Sequence, residues 1–429
     1  MAILKHQILN AGRLLLLFLI LIAIISGYLY FNYPVYNFNE PQPFKGGQIF
    51  NPYKDLDPVN WKKANFHCHT EQSDGKNSAK EVQHAYKKFG YEFLTISDHF
   101  TKTETDELFK DQVKSYEQGF NFGKYHILVF GDYRVSFLDI PFVLTLSHKI
   151  QNLKKLAPKS DMLVLAHPDL TLGLRENDMR YLSGYQMIEV PRGANREALI
   201  HYDAALSCGH YSSLVGGDDC HNVYSDYEFG RALTFVNVQK NNPNAVYHAL
   251  LAGKTFAVTL PVFRSPELKL KRNLNLPMIR KLEVRNDSVR FQVTEPAVIK
   301  VFGQNGKLRH TTGLADHVMV HLKKDDSYLR FMAIFQDSVI LYSNPVVKCK
   351  NQTPEIQHLA SVNLTLTIFQ SFIILSIEGI LINIFFILFY HVFRIRKTVL
   401  IYKVRYYLPF SSLILLTNFF NYPGNVIKV

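Results

Sequence analysis

The stretch NFHCHTEQSDGKNSAKEVQHAYKKFGYEFLTISDH, residues 65–99, indicates the fold class because it contains a complete strand–helix–strand pattern. Asn65–His69 alternates polar and apolar residues, which is typical of a strand. Ala79–Phe89 follows Ser78, a preferred N-cap residue, and precedes a glycine, so it predicts a helix. Tyr91–Ser97 is rich in aromatic and β-branched residues and predicts the next strand. The stretch therefore predicts an α/β fold.

The same alternation continues along the middle of the chain. The next elements are predicted as a helix over Glu104–Gln118 and strands over His126–Phe130, Met162–Ala166, Met187–Val190 and Ser213–Gly217. Strands that alternate with helices favour parallel βαβ units, and a series of such units favours a barrel. In a parallel barrel the chemistry lies at the C-terminal ends of the strands.

The pattern changes after Pro266, where short strands are separated by turns rich in Asn, Asp and Gly. This predicts a small antiparallel β-sandwich. Its strands are predicted at Ile279–Val284, Val289–Val293, Ala297–Val301, Val318–Leu322, Leu329–Phe335 and Val339–Tyr342.

Potential metal ligands follow several of the predicted strands. His67 and His69 share one face of their strand, whereas Cys68 points to the other face. The last strand end repeats this alternation. The residues collected in this way are His67, His69, Asp74, Asp98, His99, His167, Asp219 and His221, with Cys68 and Cys220 facing away. Imidazoles and carboxylates that converge at one barrel mouth predict a site for zinc, manganese or iron.

Five motifs stand in a fixed order along residues 60–260. They are Asn65-Phe66-His67-Cys68-His69-Thr70, Ser73-Asp74-Gly75, Ile96-Ser97-Asp98-His99, Ala166-His167-Pro168 and Gly217-Asp218-Asp219-Cys220-His221. Together they resemble the polymerase and histidinol phosphatase (PHP) superfamily. The later segment Val339-Ile340-Leu341-Tyr342-Ser343-Asn344-Pro345 resembles the C-terminal domain of exported members.

The resemblance implies a distorted (β/α)7 barrel that holds two or three divalent ions and hydrolyses phosphate esters. The implied ligands are His67, His69, Asp74, His99, His167, Asp219 and His221. The resemblance also implies catalytic roles for Asp98 and His99. Asp98 would act by orienting the strand end or a neighbouring imidazole.

One further motif of the family, which follows the third predicted strand and which we call the third motif, departs from the usual pattern. A Gly-x-Glu is common there, with the glutamate bridging two metals, but this chain has Gly131-Asp132-Tyr133-Arg134. Either Asp132 replaces the glutamate with a shorter reach, or Arg134 places a cation where a metal would lie, and we favour the second. His148 stands where the family often has one further ligand. Arg192 is the candidate for holding substrate phosphate, since a guanidinium matches its oxygens.

Two apolar runs near the chain ends predict membrane spans. Leu14–Phe31 is uncharged over 18 residues and is followed by aromatic residues, which favours an uncleaved signal anchor over a cleaved signal peptide or a core helix. Leu364–Phe393 contains Glu378 as its only charge. A protonated Glu378 hydrogen-bonded to the first span is the favoured interpretation, with a proton or partner site as the alternative. Tyr406–Phe420 is short and interrupted by a proline, which favours an interfacial segment over a third span.

Basic residues flank both runs on the side of the chain end, so the positive-inside rule places both termini in the cytoplasm. The predicted organisation is a cytoplasmic stub and transmembrane anchor at 1–34, the barrel at 35–265, the sandwich at 266–350, a linker at 351–362, a transmembrane helix at 363–393 and a basic cytoplasmic tail at 394–429. The barrel and the sandwich are then expected outside the cytoplasm at the cell membrane.

Composition excludes several classes of protein. With 47% hydrophobic and 20% charged residues the chain is close to the globular average, which excludes a disordered chain, a coiled-coil rod and a polytopic transporter. Four cysteines without a CxxC exclude a disulfide scaffold and a thiolate zinc cluster. The net charge of +12 fits nucleic acid, an anionic membrane or an anionic substrate.

The leading hypothesis is a membrane-tethered phosphoesterase that acts on a phosphorylated small molecule or an envelope component. Nucleic acid is not expected, because part of the basic excess lies in the membrane flanks. Because the third motif is irregular, the second hypothesis is a metal-binding sensor ectodomain without catalytic activity. A metal-dependent hydrolase of another bond is the third hypothesis.

Overall fold

The computed structural model of the chain describes residues 2–109, 112–137, 139–169, 173–190 and 199–393, with the backbone alone for 2–10 and 391–393. It divides into two compact units, one of which is Phe38–Ser361 and the other of which contains both apolar helices. The helices are α1 (Ala2–Phe31), α2 (Ala79–Lys88), α3 (Leu146–Leu156), α4 (Ile200–Ser207), α5 (Pro243–Leu251), α6 (Pro266–Leu274) and α7 (Leu364–Phe393).

The strands lie mainly between α1 and α7. They are β1 (Tyr36–Phe38), β2 (Gln48–Phe50), β3 (Trp61–Asn65), β4 (Phe93–Leu94), β5 (Ser115–Gln118), β6 (Ile127–Phe130), β7 (Met162–Leu165), β8 (Met187–Val190), β9 (Ser213–Gly216), β10 (Ala232–Asn237), β11 (Thr255–Thr259), β12 (Ile279–Arg285), β13 (Ser288–Gly303), β14 (Lys307–His321), β15 (Tyr328–Ile334), β16 (Ile340–Ser343), β17 (Val346–Cys349) and β18 (Ala360–Val362).

Two open sheets form the larger unit. One sheet has five strands in the order β5-β6-β7-β8-β9, and the other has eleven, with β12-β13-β15-β16-β11-β10-β3-β4 as its main path. The α/β class is therefore confirmed, but the strands of the described residues do not close into a barrel. Their directions are mixed, because β7, β8 and β9 run parallel whereas β5, β6 and β7 alternate in direction.

Local sequence accounts for much of this pattern. Helix α2 begins with a capping box, in which the Ser78 side chain accepts from Glu81 N and the Glu81 carboxylate accepts from Ser78 N. The helix predicted over Glu104–Gln118 is wrong. The structure has a 3-10 turn at Glu107–Phe109 and then β5, all of whose residues are buried. Pairing of β5 with β6 outweighs the local helical pattern, since it satisfies backbone groups that are removed from water.

The antiparallel strands after residue 266 are present but belong to the larger sheet. The two strands predicted around Pro296 form one strand, β13, with register shifts along its length. β16 pairs with β11 through Phe256 and Ser343. The sheet is therefore continuous across the boundary predicted at 265/266, where a separate sandwich was expected.

The apolar core and the candidate ligands lie on opposite sides of the strand ends. Cys68 and Cys220 are fully buried in the main hydrophobic cluster and pair with each other as an isolated parallel bridge. The neighbouring residues His67 and His69 point away from that cluster toward the metal centre described below. This is the alternation that the sequence predicts for the two segments.

The terminal unit contains two helices that are long and apolar enough to cross a membrane, over Ala11–Phe31 and Leu364–Tyr390. Glu378 is buried in this unit, and its Oε1 has no hydrogen-bond partner among the described residues. The hydrogen bond expected from Glu378 to the first helix is therefore not observed at that atom. The predicted basic tail, 394–429, lies outside the described residues.

Candidate metal centre

The segments that follow β3 and β9 lie side by side and carry the first candidate ligands. The backbone N–H of Asp219 donates to the His67 carbonyl over 3.0 Å, and the N–H of His69 donates to the Cys220 carbonyl over 2.9 Å. These two hydrogen bonds set which residues of the two segments lie beside each other. As a result, the imidazoles of His67 and His69 and the carboxylate of Asp219 converge on one point.

The first donor group consists of His67 Nε2, His69 Nε2, Glu117 Oε2 and Asp219 Oδ1. Glu117 Oε2 lies 3.3 Å from His67 Nε2 and 3.1 Å from His69 Nε2. Asp219 Oδ1 lies 3.3 Å from each imidazole nitrogen, and the two nitrogens are 3.2 Å apart. Four donors at ~2.0–2.1 Å from a tetrahedral ion are separated by ~3.3 Å, so this spacing fits a zinc-sized ion.

The second donor group consists of Glu117 Oε1, His126 Nδ1 and His167 Nε2. Glu117 Oε1 lies 2.8 Å from His126 Nδ1 and 3.1 Å from His167 Nε2, and the two nitrogens are 3.2 Å apart. The two carboxylate oxygens of Glu117 therefore face different donor groups. This side chain therefore connects the first and second donor groups.

The third donor group consists of Asp74 Oδ2, His99 Nε2 and His221 Nε2, and it is the most exposed of the three. The carboxylate oxygen lies 3.7 Å from the His99 nitrogen and 3.3 Å from the His221 nitrogen. The Asp74 side chain is 53% exposed, whereas that of Glu117 is 1% exposed. The ring of His69 stacks on those of His99 and of His221, and His99 Nε2 lies 3.4 Å from Glu117 Oε2, so the third donor group adjoins the first. The centre opens to solvent on this side.

Glu117 and His126 reach the centre because β5 and β6 run in opposite directions. The C-terminal end of β5 and the N-terminal end of β6 are neighbours, with Gln118 paired to Ile127. β6 is also antiparallel to β7, so His126, just before β6, lies beside Ala166, just after β7. Sequence reasoning missed both ligand candidates because it placed Glu117 on a helix and examined only residues that follow strands. The available signal was an acidic residue next to a short β-forming run.

Glu189 supports the centre from behind and was also missed. Its carboxylate accepts from His67 Nδ1 at 3.0 Å and from the backbone N–H of His167 at 2.8 Å. With the proton held at Nδ1, the lone pair of His67 Nε2 faces the first donor group, as in metal-bound histidines. A Cβ at Gly217 would lie 2.3 Å from Glu189 Oε1, so the close approach requires glycine. The signal was a lone glutamate in a strand, β8, that is otherwise apolar.

Asp98, predicted as catalytic, holds a loop instead of contacting a ligand ring. Its carboxylate accepts from Thr70 N over 2.7 Å, from Thr70 Oγ1 over 2.6 Å and from Ser73 Oγ over 2.7 Å. These bonds fix the turn that carries Asp74. Asp98 therefore positions a member of the third donor group through the backbone of this turn.

The backbone is strained at two of the candidate ligands. His167 has φ of 28° and Asp219 has φ of 47°, both in the left-handed region that non-glycine residues rarely adopt. Such conformations persist where surrounding contacts impose them, and they concentrate at functional sites.

The electrostatics of the centre favour bound cations. Burial by itself lowers the pKa of His67, but the carboxylates of Glu189, Glu117 and Asp219 outweigh burial and raise it well above its usual value. Burial likewise tends to raise the pKa of Glu117, and the surrounding imidazoles, His67 and His126 first, hold it well below its usual range. Buried carboxylates are costly unless they are paired or bind metal. The donor set thus fits divalent ions in both composition and spacing.

The sequence-predicted ligands His67, His69, Asp74, His99, His167, Asp219 and His221 all lie in the three donor groups. His148 does not. Its Nδ1 accepts from the backbone N–H of Thr145 at the start of α3, and His126 lies in the centre instead. Here the structure differs from the expectation because β6, and not α3, faces the centre.

Neither candidate for the third motif lies in a donor group. Asp132 is 76% exposed and faces Lys102 and Lys114, and Arg134 is exposed. The buried carboxylate among the imidazoles is that of Glu117, from the preceding strand. Arg192, the predicted phosphate-binding residue, lies outside the described residues.

Comparisons with known proteins add little to this picture. No protein-family model matches the sequence, and no curated protein is significantly similar to it. The chain is similar to a crystal structure of a two-domain protein from Bacteroides vulgatus that contains a predicted PHP-like metal-dependent phosphoesterase. The identity is 15%, the match covers 76% of this chain and 99% of that chain, and the TM-score is 0.36. A likeness of this size carries no function from one protein to the other.

Proposed function

We propose that the chain is a metal-dependent phosphoesterase of the PHP type. The observation that carries the proposal is the position of Glu117, whose two carboxylate oxygens face separate imidazole groups at 3.3 Å or less. A buried carboxylate shared in this way is suited to holding two ions close together. Paired ions are the arrangement that stabilises both the attacking and the leaving oxygen in phosphoryl transfer.

Up to three divalent ions, zinc, manganese or iron, would be held by the three donor groups. Bound there, they would supply charge neutralisation for the phosphate oxygens and an acidified water as nucleophile. The protein's part is to keep the donor atoms in place. Glu189 holds His67 in the tautomer that presents Nε2, and Asp98 holds the turn that carries Asp74.

The substrate phosphate would enter on the exposed side, at the third donor group. The side chains of Asp74, His99 and His221 are 53%, 21% and 30% exposed, whereas the first donor group is almost closed to solvent. The ester would thus meet His99 before the buried groups. This gives His99 a role at the reacting phosphate in addition to ligation.

Phosphate release by the full chain tests the proposal. The chain, purified in detergent and loaded with Mn²⁺ or Zn²⁺, is expected to hydrolyse at least one ester of a panel of phosphate monoesters and diesters. Asp219→Asn should abolish this activity because it removes a donor from the first group. Cys68→Ala, the matched control on the opposite face of the same strand pair, should retain it. Absence of turnover with every ester, in protein shown to contain metal, would refute the proposal.

We further propose that the chain is tethered to the cell membrane by an uncleaved signal anchor and a second span, with the centre outside the cytoplasm. The support is the pair of apolar terminal helices and the basic residues beside them. The substrate would then be a phosphorylated small molecule or an envelope component. The sensor alternative loses its motivation, since Glu117 supplies the carboxylate that the third motif lacked.

A further inference from the structure

Four phenylalanines, Phe100, Phe120, Phe122 and Phe137, stand on loops next to the strand ends that carry the metal centre, and we call them the aromatic rim. Phe120 is 76% exposed, Phe122 is 80% exposed and Phe137 is 76% exposed. Large apolar side chains exposed as a group, as opposed to singly, mark interaction sites. The rim therefore requires an explanation that the metal chemistry does not give.

The rim is continuous with the third donor group. Phe100 directly follows His99, and the two ring centroids are 6.4 Å apart. The ring of Phe137 stacks on that of Phe100, with centroids 6.4 Å apart and an interplanar angle of 21°. Phe100 has φ of 52°, a conformation that a bulky side chain avoids, and its N–H is fixed by the Glu117 carbonyl.

Phe120 and Phe122 are exposed on a loop that adjoins the metal centre. Their loop joins the end of β5 to the start of β6, so it lies between Glu117 and His126 of the centre. It is bound to the segment that carries Phe137, because Phe120 N donates to Asp139 and Phe122 N donates to the Pro141 carbonyl. The aromatic rim is thus carried by three segments that contact one another.

Cationic side chains accompany the rings. Lys124 and Arg134 are exposed in the same two loops. Apolar groups beside basic groups, next to a centre suited to phosphate, match an amphiphile with an anionic head. A planar base is the alternative ligand for the stacked pair of Phe100 and Phe137, but stacking on that pair gives no reason for the exposure of Phe120 and Phe122.

We propose that the substrate is a phosphate ester of an apolar chain, of the lipid phosphate class, whose chain lies on the aromatic rim while its phosphate meets the metal centre. This inference rests on the proposed phosphoesterase function. For a monoester the reaction is ROPO₃²⁻ + H₂O → ROH + HPO₄²⁻. The phosphorus–oxygen ester bond breaks, the water oxygen bonds to phosphorus, and a water proton passes to the leaving alkoxide.

The dependence of KM on the length of the alkyl group in the substrate tests the inference. The full chain in nanodiscs, loaded with Mn²⁺, is assayed with butyl, hexyl and octyl phosphate and with adenosine monophosphate. Full burial of one methylene is worth about fourfold in binding, so partial burial of four predicts that KM falls about tenfold from butyl to octyl phosphate. Phe122→Ser and Phe137→Ser should reduce this gain to less than threefold. Leu314→Ser, which alters an exposed apolar residue on β14, should keep it.

The outcomes separate the two proposals. Hydrolysis of butyl phosphate with the same KM along the series, or a gain that survives both Phe variants, would overturn the lipid phosphate inference alone. A lower KM for adenosine monophosphate than for octyl phosphate would overturn it in favour of base stacking. Absence of hydrolysis of every ester would overturn the phosphoesterase proposal and this inference with it. Thermal unfolding of each variant shows that the fold is kept.

Discussion

At the scale of single residues, Glu117 is the side chain that contacts the most imidazoles of the metal centre. Glu117→Gln removes the negative charge shared by the first and second donor groups, so metal analysis of the purified variant should show at least one ion fewer than wild type. Asp132→Asn is the control, because Asp132 is exposed and faces lysines. A loss of metal in Asp132→Asn with none in Glu117→Gln would restore the assignment based on the third motif.

Glu189 should control metal affinity without touching metal. Glu189→Gln weakens the acceptor for His67 Nδ1, and loss of such an outer carboxylate typically costs 10–100-fold in affinity. Competition with a chromogenic chelator measures this. Unchanged affinity with an intact fold would show that the donor atoms of His67 are held by other contacts.

Metal uptake should release protons. Burial lowers the pKa of His69, but hydrogen bonds to Asp219 and Glu117 outweigh it and raise the pKa to about 9, compared with ~6.5 in an unfolded chain. These contacts stabilise the metal-free protein fully below pH ~6.5, and this stability is lost as the pH rises through about 9. A metal ion competes with the same proton, so affinity should rise from pH 6.5 to 9 and then level off. Calorimetry in buffers of different ionisation enthalpy counts the protons, and a pH-independent affinity would contradict the expectation.

The sequence predicted most of the histidines and the aspartates of the centre. It did not predict Glu117, Glu189 and His126, which complete the centre. His67, His69, Asp219 and His221 stand in motifs whose spacing alone places them on one face. Glu117 has no such local mark. The position of Glu117 depends on which strands pair, and pairing between distant segments cannot be predicted from a short window of sequence.

At the scale of elements, the main error was the direction of strands. A uniform βα alternation predicts parallel strands, so ligands were sought only after strands. The antiparallel β6 brings its N-terminal end, with His126, to the metal edge. The strand boundaries of β7, β8 and β9 agreed closely with prediction, because these are short, fully buried apolar runs.

One buried ion pair joins α4 to β15. Arg330 donates from Nε to Asp203 Oδ1 over 2.7 Å and from Nη2 to Oδ2 over 2.6 Å, and Tyr328 OH donates to the same carboxylate. Arg330→Met leaves the Asp203 charge buried without its cation, which should cost ~3–5 kcal/mol in the free energy of unfolding. Denaturant unfolding of the detergent-solubilised chain measures this cost.

The double variant is the control for that cost. Asp203→Asn together with Arg330→Met removes the stranded charge and should be more stable than Arg330→Met alone. A double variant that is no more stable would show that the loss arises from the packing of the Arg330 side chain over Phe302.

At the scale of the whole molecule, the proposed compartment depends on the two apolar helices. A reporter fused after Lys350 should lie outside the cytoplasm and one fused after Lys403 inside, since basic residues flank both helices on the side of the chain ends. Periplasmic-type and cytoplasmic-type reporter activities measure this. A cytoplasmic signal from the Lys350 fusion would contradict the proposed location outside the cytoplasm and exclude an envelope component as substrate. It would not affect the proposal of a metal centre.

We propose that one buried cluster holds several divalent ions around Glu117. Anomalous X-ray diffraction from crystals of the Mn²⁺- or Zn²⁺-loaded protein tests it most directly. We expect separate anomalous peaks at the first and second donor groups, with one Glu117 oxygen directed at each, and a further peak among Asp74, His99 and His221. A single peak that Glu117 does not contact, or none in the cluster at full metal loading, would contradict it.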